Sequence, residues 1–321
     1  MKKTALNLAI ASCLMTFGYA SAAPTFDADI EMNTDQVNED TGGTTFDQNG
    51  RVALYVSDTK TSGDNFITAK GAVLISTDGT TSVDDSFIQI GNSGFDVQLG
   101  SFEAINLFPL GKDTMVEHAG DVSVYQGSLT RGRAGDDGGQ IAINVTSSDS
   151  LSFQVNTIYG DDDSDGDDKT AFAGIRPTLT YTGDSVTLSA GFEQVKYNGD
   201  TSSSDVNKSG IALTANFDLG DANLNVSYAS MDDDEADQTV TSYSANMTQG
   251  DFGAGIIASS EDNASGVDPS VLTTYVAYTL PVFDIDDATV TLAGSYSSAD
   301  DVDTDTNDQT LATRVRFNYT F

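Results

Sequence analysis

The chain has 321 residues, of which 49 are Asp or Glu against 14 Lys or Arg, giving a net charge of -35. Such an acidic surface excludes nucleic-acid binding, while 38% hydrophobic residues with 12 Tyr and 16 Phe exclude a simple disordered acidic polymer. One Cys and one His leave no disulfide framework and little material for zinc or His-based catalysis.

The first residues, MKKTALNLAIASCLMTFGYASAA, place two Lys before an apolar run and end it on small residues. That is the pattern of a secretory signal peptide, with Ala20-Ser21-Ala22 as the cleavage site. Ile10-Ala11-Ser12-Cys13 has the look of a lipoprotein site, but the run after Cys13 stays apolar and then reaches the ordinary site. The expected division is a signal over 1–22 and a mature chain over 23–321, with Cys13 removed in the signal.

The mature chain alternates with period two. The clearest runs are Val52-Leu54-Val56, Phe95-Val97-Leu99, Ile141-Ile143-Val145, Ile211-Leu213-Ala215-Phe217-Leu219 and Val315-Phe317-Tyr319-Phe321. The pattern predicts strands over 25–34, 50–58, 66–76, 86–92, 95–102, 138–146, 151–159, 172–182, 186–197, 209–219, 223–231, 239–248, 251–259, 272–281, 289–298 and 310–321. Short Gly, Asn, Asp and Ser turns alternate with longer acidic stretches such as DQVNEDTGG, DDDSDGDDK, DDDEADQ and ADDVDTDTND. Tight turns at one end and long loops at the other describe an up-and-down antiparallel barrel.

Sixteen strands make a barrel too wide to fill with side chains, so the apolar face belongs to lipid and the polar face to a wet lumen. Tyr159, Tyr197, Tyr228 and Tyr296 on the long-loop side and Phe95, Tyr181, Phe217 and Phe321 on the turn side are expected as interfacial girdles. A soluble solenoid or sandwich would alternate similarly, but without the signal, the loop asymmetry and the girdles. The fold class is therefore all-β: a 16-stranded antiparallel transmembrane barrel. Its partners are the bilayer and its lipopolysaccharide, and its location is the cell outer membrane.

One stretch breaks the alternation. GSFEAINLFPLGKDTMVEHAG, residues 100 to 120, carries two Glu, a Lys, an Asp and the single His. Residues 103–136 are too long for an ordinary loop of a compact barrel. Inside a wet pore an irregular backbone can be satisfied.

The closing octapeptide Arg314-Val-Arg-Phe-Asn-Tyr-Thr-Phe321 resembles the last strand of bacterial outer-membrane porins. Ile88 to Ser101 resembles the porin hairpin that leads into the third external loop. Phe102-Glu-Ala-Ile-Asn-Leu-Phe-Pro-Leu-Gly-Lys-Asp-Thr114 is similar to the corresponding segment of carbohydrate porins of the raffinose glycoporin type. The Pro-Glu-Phe-Gly-Gly run of enteric general porins is absent, so their loop residues do not carry over.

The resemblance implies a homotrimer of sixteen-stranded barrels, each with its third loop folded inward. It also implies a terminal Phe321 read by the barrel-assembly machinery, and loop acids that face a basic wall. The candidate constriction residues are Glu103, Phe108, Lys112, Asp113, Glu117 and His118. The candidate wall is Arg51, Arg176, Arg314 and Arg316, the last two sharing a face because they are two apart. Each Arg either joins a transverse field or simply pairs with a neighbouring acid, and Lys112 has the option of tethering the loop to an acid. Arg131 and Arg133 follow the loop, at the wall or the mouth. Phe102, Tyr55 and Tyr125 are candidate sugar contacts, while Phe108 either stacks on sugar or pins the loop to the wall.

The expected activity is passive diffusion of small hydrophilic solutes, carbohydrates or ions, with cations preferred and no cofactor. The alternatives are a non-specific general porin, a hydrolase barrel using His118, and an adhesin or phage receptor using the acidic loops. The Asp161 to Asp168 run superficially resembles a calcium loop but lacks its Glu at the twelfth position and its flanking helices, so no dedicated metal site is expected.

Overall fold

The computed structural model describes residues 23–133, 138–161, 171–197, 205–264, 266–303 and 306–321. The signal-peptide reading of 1–22 and most of the calcium-like run lie outside them. Every regular element in this part is a strand: β1 (Thr25–Glu39), β2 (Gly43–Ser62), β3 (Asn65–Ser76), β4 (Thr81–Asn92), β5 (Phe95–Ser101), β6 (Gly138–Ser148), β7 (Leu151–Asp161), β8 (Ala171–Thr182), β9 (Val186–Tyr197), β10 (Val206–Asp218), β11 (Ala222–Asp233), β12 (Gln238–Gln249), β13 (Phe252–Asn263), β14 (Ser270–Pro281), β15 (Ala288–Asp300) and β16 (Gln309–Thr320). Each pairs antiparallel with its chain neighbours, and β1 pairs with β16 to close the ring. Backbone bonds of 2.8 Å between Ala28 and Phe321, in both directions, finish the seam.

All sixteen predicted strands exist, and β1, β2 and β4 run further than predicted, to Glu39, over Gly43–Ser62 and from Thr81. DQVNEDTGG is not a loop, because β1 and β2 stay paired from Asp35↔Asp47 up to Glu39↔Gly43. Apart from Val37 and Phe46 this upper ladder is polar, so there was no run of hydropathic alternation to betray it. Connections on the turn side are mostly two or three residues, but 282–287 is longer.

Alternation sets the two faces. Leu54, Ile88, Leu99, Ile143, Leu179, Leu213, Leu272, Leu311 and Val315 all point outward and are exposed. A ring of exposed branched side chains on a closed barrel is the surface a bilayer covers. Phe95, Tyr181, Phe252, Tyr278 and Tyr319 border this band at the turn end, and Tyr159 and Tyr296 at the other. Tyr228 is a correction. It faces Tyr243 directly across the β11–β12 ladder, ring centroids 5.2 Å apart, in mid-strand and away from the rim.

The connection from β5 to β6 packs against the polar face from β6 round to β16. Almost every turn of its backbone finds a side chain of the wall. Amides of Phe102, Ile105, Glu117, Ala119, Ser123 and Tyr125 donate to Gln140, Gln154, Ser295, Ser297, Glu261 and Ser242. Carbonyls of Pro109, Leu110, Ser123, Gly127 and Thr130 accept from Asn246, Tyr275, Ser259, Arg176 and Asn156. An unpaired buried backbone group costs about 1–3 kcal/mol, so a non-repeating segment needs this matching to lie there.

Apolar packing joins the polar rivets. Leu107, Phe108 and Tyr125 form one buried cluster with Ala212, Ala229, Met231, Val240, Ile257 and Tyr275 of the wall. Small wall residues make the room: a side chain at Gly191 would collide with Leu107, and one at Gly210 with the Tyr125 hydroxyl.

The strongest anchor is Glu193, itself fully buried. It accepts from the Tyr125 hydroxyl at 2.7 Å, from the amides of Leu129 and Thr130 at 3.0 and 3.1 Å, and sits 2.9 Å from the Arg176 guanidinium. Glu193→Ala leaves Arg176 buried without its counter-charge, and we expect about 3–5 kcal/mol of destabilisation. Ser242→Ala, which removes the neutral bonds to the Tyr125 amide and to Ser259, should cost less, about 1–3 kcal/mol. Urea unfolding in lipid vesicles, with proteolysis of 102–133 as a second readout, measures both, and equal losses would contradict this ranking.

The two faces give a paired test on adjacent residues. Leu99→Arg puts a charge into the lipid band and should cost about 2–4 kcal/mol, whereas Gln98→Arg on the polar face should be nearly silent. The same unfolding assay checks it.

Candidate functional site

The wall residues predicted from period two share the polar face, but they are not equivalent. Arg314 makes a bidentate pair with Asp35 of β1, at 2.7 and 2.6 Å. Arg316 donates to Asn33 at 2.7 Å, lies 3.5 Å from Glu31 and pairs with Asp113 of the connection. Arg51 stands 3.7 Å from Glu31 and is 43% exposed at its side chain. Arg176, expected on an open wall, is fully buried beneath the segment around Gly127.

The expected row of loop acids is divided in the same way. Among the ion pairs of the described residues, only Asp113 reaches a wall arginine. Glu103 pairs within its own connection, to Arg131 at 2.6 Å and Arg133 at 3.3 Å. Arg133 also meets Asp84 and Asp85 of β4, and Asp85 holds Lys70 of β3 at 2.9 Å. Glu117 is exposed, with its amide fixed to Ser295 at 3.3 Å.

Acids and bases therefore interleave around the polar face. A basic wall opposed by an acidic loop would separate the signs. Here Glu31 and Asp35 stand among the arginines, and Arg131 and Arg133 among the loop acids. Most of the local field is spent in short pairs, and the surplus of negative charge lies elsewhere in the chain.

Two of the three candidate sugar contacts, Phe102 and Tyr125, are packed away, and so is Phe108. Phe102 is buried, edge-on to Phe87 with centroids 6.0 Å apart. Tyr125 is buried with its hydroxyl given to Glu193. Phe108 is buried in the wall cluster, which is the pinning arrangement and not a stacking surface. Tyr55 remains partly open on the polar face. The stem of Lys112 lies over Gly253, where a side chain would collide with it, and Lys112 forms no ion pair among the described residues.

His118 accepts or donates one hydrogen bond through Nδ1, to Thr273 Oγ1 at 2.8 Å. Burial holds its pKa below the ordinary 6.5, so the ring is neutral at pH 7. No group of three His, Cys, Asp or Glu among the described residues is placed to hold a metal.

Sequence reasoning missed Glu31, Asn33 and Asp35 of β1, together with Lys70, Asp84 and Asp85. The signal was present in β1: Asp29, Glu31, Asn33 and Asp35 alternate with Ile30, Met32 and Thr34. It read weakly because its polar half was charged. The wall cluster also had a signal, since Ile256 and Ile257 are consecutive apolar residues in a strand of otherwise alternating pattern.

Comparisons with known proteins agree with this architecture. OmpT, an outer membrane protein of Vibrio cholerae solved in a trimer form, is 14% identical over 93% of this chain and 100% of its own, with a TM-score of 0.66. An anion-selective porin from Comamonas acidovorans is 14% identical over 93% of this chain and 99% of its own, with a TM-score of 0.67. A triple mutant of the Rh. blastica porin gives 15% identity, 92% and 100% coverage and a TM-score of 0.58. At such identities these likenesses show the fold. No curated protein sequence matches the chain. The family described as porin-like glycoporin RafY matches residues 19–321, nearly the whole length. With its closed barrel of sixteen strands, the chain belongs to that family and is a transmembrane β-barrel of the porin type.

Proposed function

We propose that this outer-membrane barrel is a water-filled channel for small hydrophilic solutes, neutral carbohydrates foremost, with a preference for cations among ions. The observation that carries the reading is the connection from Phe102 to Arg133, bonded along the polar face from β6 to β16. We read it as the inward-folded third loop, which narrows the channel and leaves β1 to β4 as its more open wall.

A diffusion channel needs a size limit and a field. The loop supplies the limit. The paired charges at the rim leave a weak local field, so the sign of selectivity comes from the acidic excess of the whole chain. The Comamonas relative, anion-selective by its description, has the same fold, so the fold alone does not set the sign.

The remaining parts follow. Residues 1–22 act as a cleaved export signal. The barrel assembles as a homotrimer, as the trimer form of OmpT suggests. The exposed terminal Phe321 is the handle for barrel assembly. The acidic connections face lipopolysaccharide. His118, engaged with Thr273 in a packed segment, serves structure and not hydrolysis.

The direct test is single-channel current in a planar bilayer under a salt gradient. We expect the reversal potential to report cations, and the preference to shrink between 0.1 and 1 M salt as the Debye length falls from about 10 to about 3 Å. A preference that ignored salt would place the selective charges in the narrow rim instead.

The pH dependence has a definite sign. The His118 pKa is lowered from 6.5, so His118 gains its proton only at more acidic pH and the preference should show no step near 6.5. It should fall only as carboxylates protonate on further acidification. Reversal potentials along a pH series, repeated with His118→Ala, check this.

A further inference from the structure

β2 runs on past the end of β3, and the ledge this leaves borders a cavity of about 640 Å³ on the polar face. Glu31, Asn33, Asp47, Asn49, Arg51 and Asp78 contribute its polar lining. Small-molecule sites occupy roughly 300–1,000 Å³. The cavity belongs to the part of the wall that the segment 102–133 leaves uncovered, beside the Arg316 to which Asp113 is tied.

Its groups form an ordered relay. Arg316 donates to Asn33, Asn33 donates to Asn49 at 2.9 Å, and Asn49 donates to Asp47 at 2.6 Å. Asp78 accepts from the Thr80 amide and hydroxyl at 2.8 and 2.7 Å. The carboxylates are thus held by donors of the protein and are not gathered around one point, as a cation would require.

Arg51 differs from the other wall arginines. Its only polar partner among the described residues is Glu31 at 3.7 Å, beyond hydrogen-bond reach, and its buried Nε has no hydrogen-bond partner. Arg314 and Arg316 have committed their donors and are 19% and 13% exposed, against 43% for Arg51. The four N–H donors on the two terminal nitrogens of its planar fork are left to face the cavity, without a hydrogen-bond partner among the described residues. Below it on β2 lie Ala53 and Tyr55, opposite Leu74 and Ala72 of β3, an apolar strip on the same face.

We propose that this ledge is a binding subsite for a neutral polyhydroxylated solute of the sugar class. Interleaved amide, carboxylate and guanidinium groups offer donors and acceptors together, which vicinal hydroxyls can bridge, and the Tyr55–Leu74 strip suits the apolar face of a pyranose. Three carboxylates against one guanidinium leave the lining net negative, which favours hydroxyl donors and does not repel a neutral ligand. The proposal rests on the channel reading above and names where in the channel the sugar pauses.

The test is current block by maltotriose and by raffinose, two neutral trisaccharides, in planar bilayers. Each variant is judged against its own open current. Wild type should show saturable block. Arg51→Lys, which keeps the charge and loses the fork, and Asn49→Ala should each weaken the block by about tenfold. Gln98→Ala, on β5 away from the cavity, should retain the wild-type affinity.

Block of unchanged affinity in both ledge variants would overturn the subsite and leave a sugar channel with its site elsewhere. A wild-type current altered by sugars only as viscosity dictates would overturn the subsite and the sugar preference, while the channel stands. Folded barrels that carry no current would overturn the channel reading itself.

Discussion

Every backbone N–H and C=O buried in or beside this barrel needs a partner, and that requirement organises the whole molecule. In the bilayer it forces ring closure, because an open sheet edge in hydrocarbon has nothing to bond. β1 and β16 meet along eleven residue pairs, from Asp29↔Thr320 to Glu39↔Thr310, and leave no edge. Within the ring the same requirement falls on the irregular connection. It has no ladder of its own, so the wall provides Gln140, Gln154, Ser242, Ser259, Asn246 and Asn156 at the right heights. The polar residues of β6 to β15 are thus a matched surface before they are a wet lining.

This matching divides the polar face in two. Where the connection lies, small residues and short hydroxyls prevail, as at Gly191, Gly210, Ala212 and Ser242. Where it does not, on β1 to β4, long charged and amide side chains reach into the open space and pair with one another. Exposed ion pairs contribute about 0–1 kcal/mol each, so these pairs shape the channel more than they hold it together. The buried pair Arg176–Glu193 is another matter, since both charges have lost water and depend on each other and on the loop amides.

Much of this was legible in the chain, for a physical reason. Period two is imposed by the difference between lipid and water on the two sides of each strand, so apolar alternation marks the strand wherever that contrast exists, as in Ile211-Leu213-Ala215. Where both sides are wet the contrast vanishes, and 35–49 read as loop although it is a ladder. Tyr228 was assigned to a rim because aromatic residues favour interfaces, but its direct partner Tyr243 gives it a packing role in mid-strand. The irregularity of 100–120 was visible, and so was the mixture of charges. Which of its groups face solute was not, because that depends on contacts with strands up to about two hundred positions away, such as Asp113 with Arg316.

Phe102, Phe108 and Tyr125 show why composition misleads inside a wide barrel. An aromatic side chain in a narrowed pore suggests a stacking surface for sugar. A segment that packs on the polar face without a ladder of its own also needs apolar anchors, and burying one such side chain is worth about 1.5–3 kcal/mol. Phe108 and Tyr125 meet Met231, Val240 and Ile257, apolar residues on a face that is otherwise polar. Those three wall residues have no use in a bare aqueous lining. Their presence on the polar side is the complement of the loop aromatics, and the pairing takes Phe108 and Tyr125 out of the open part of that face.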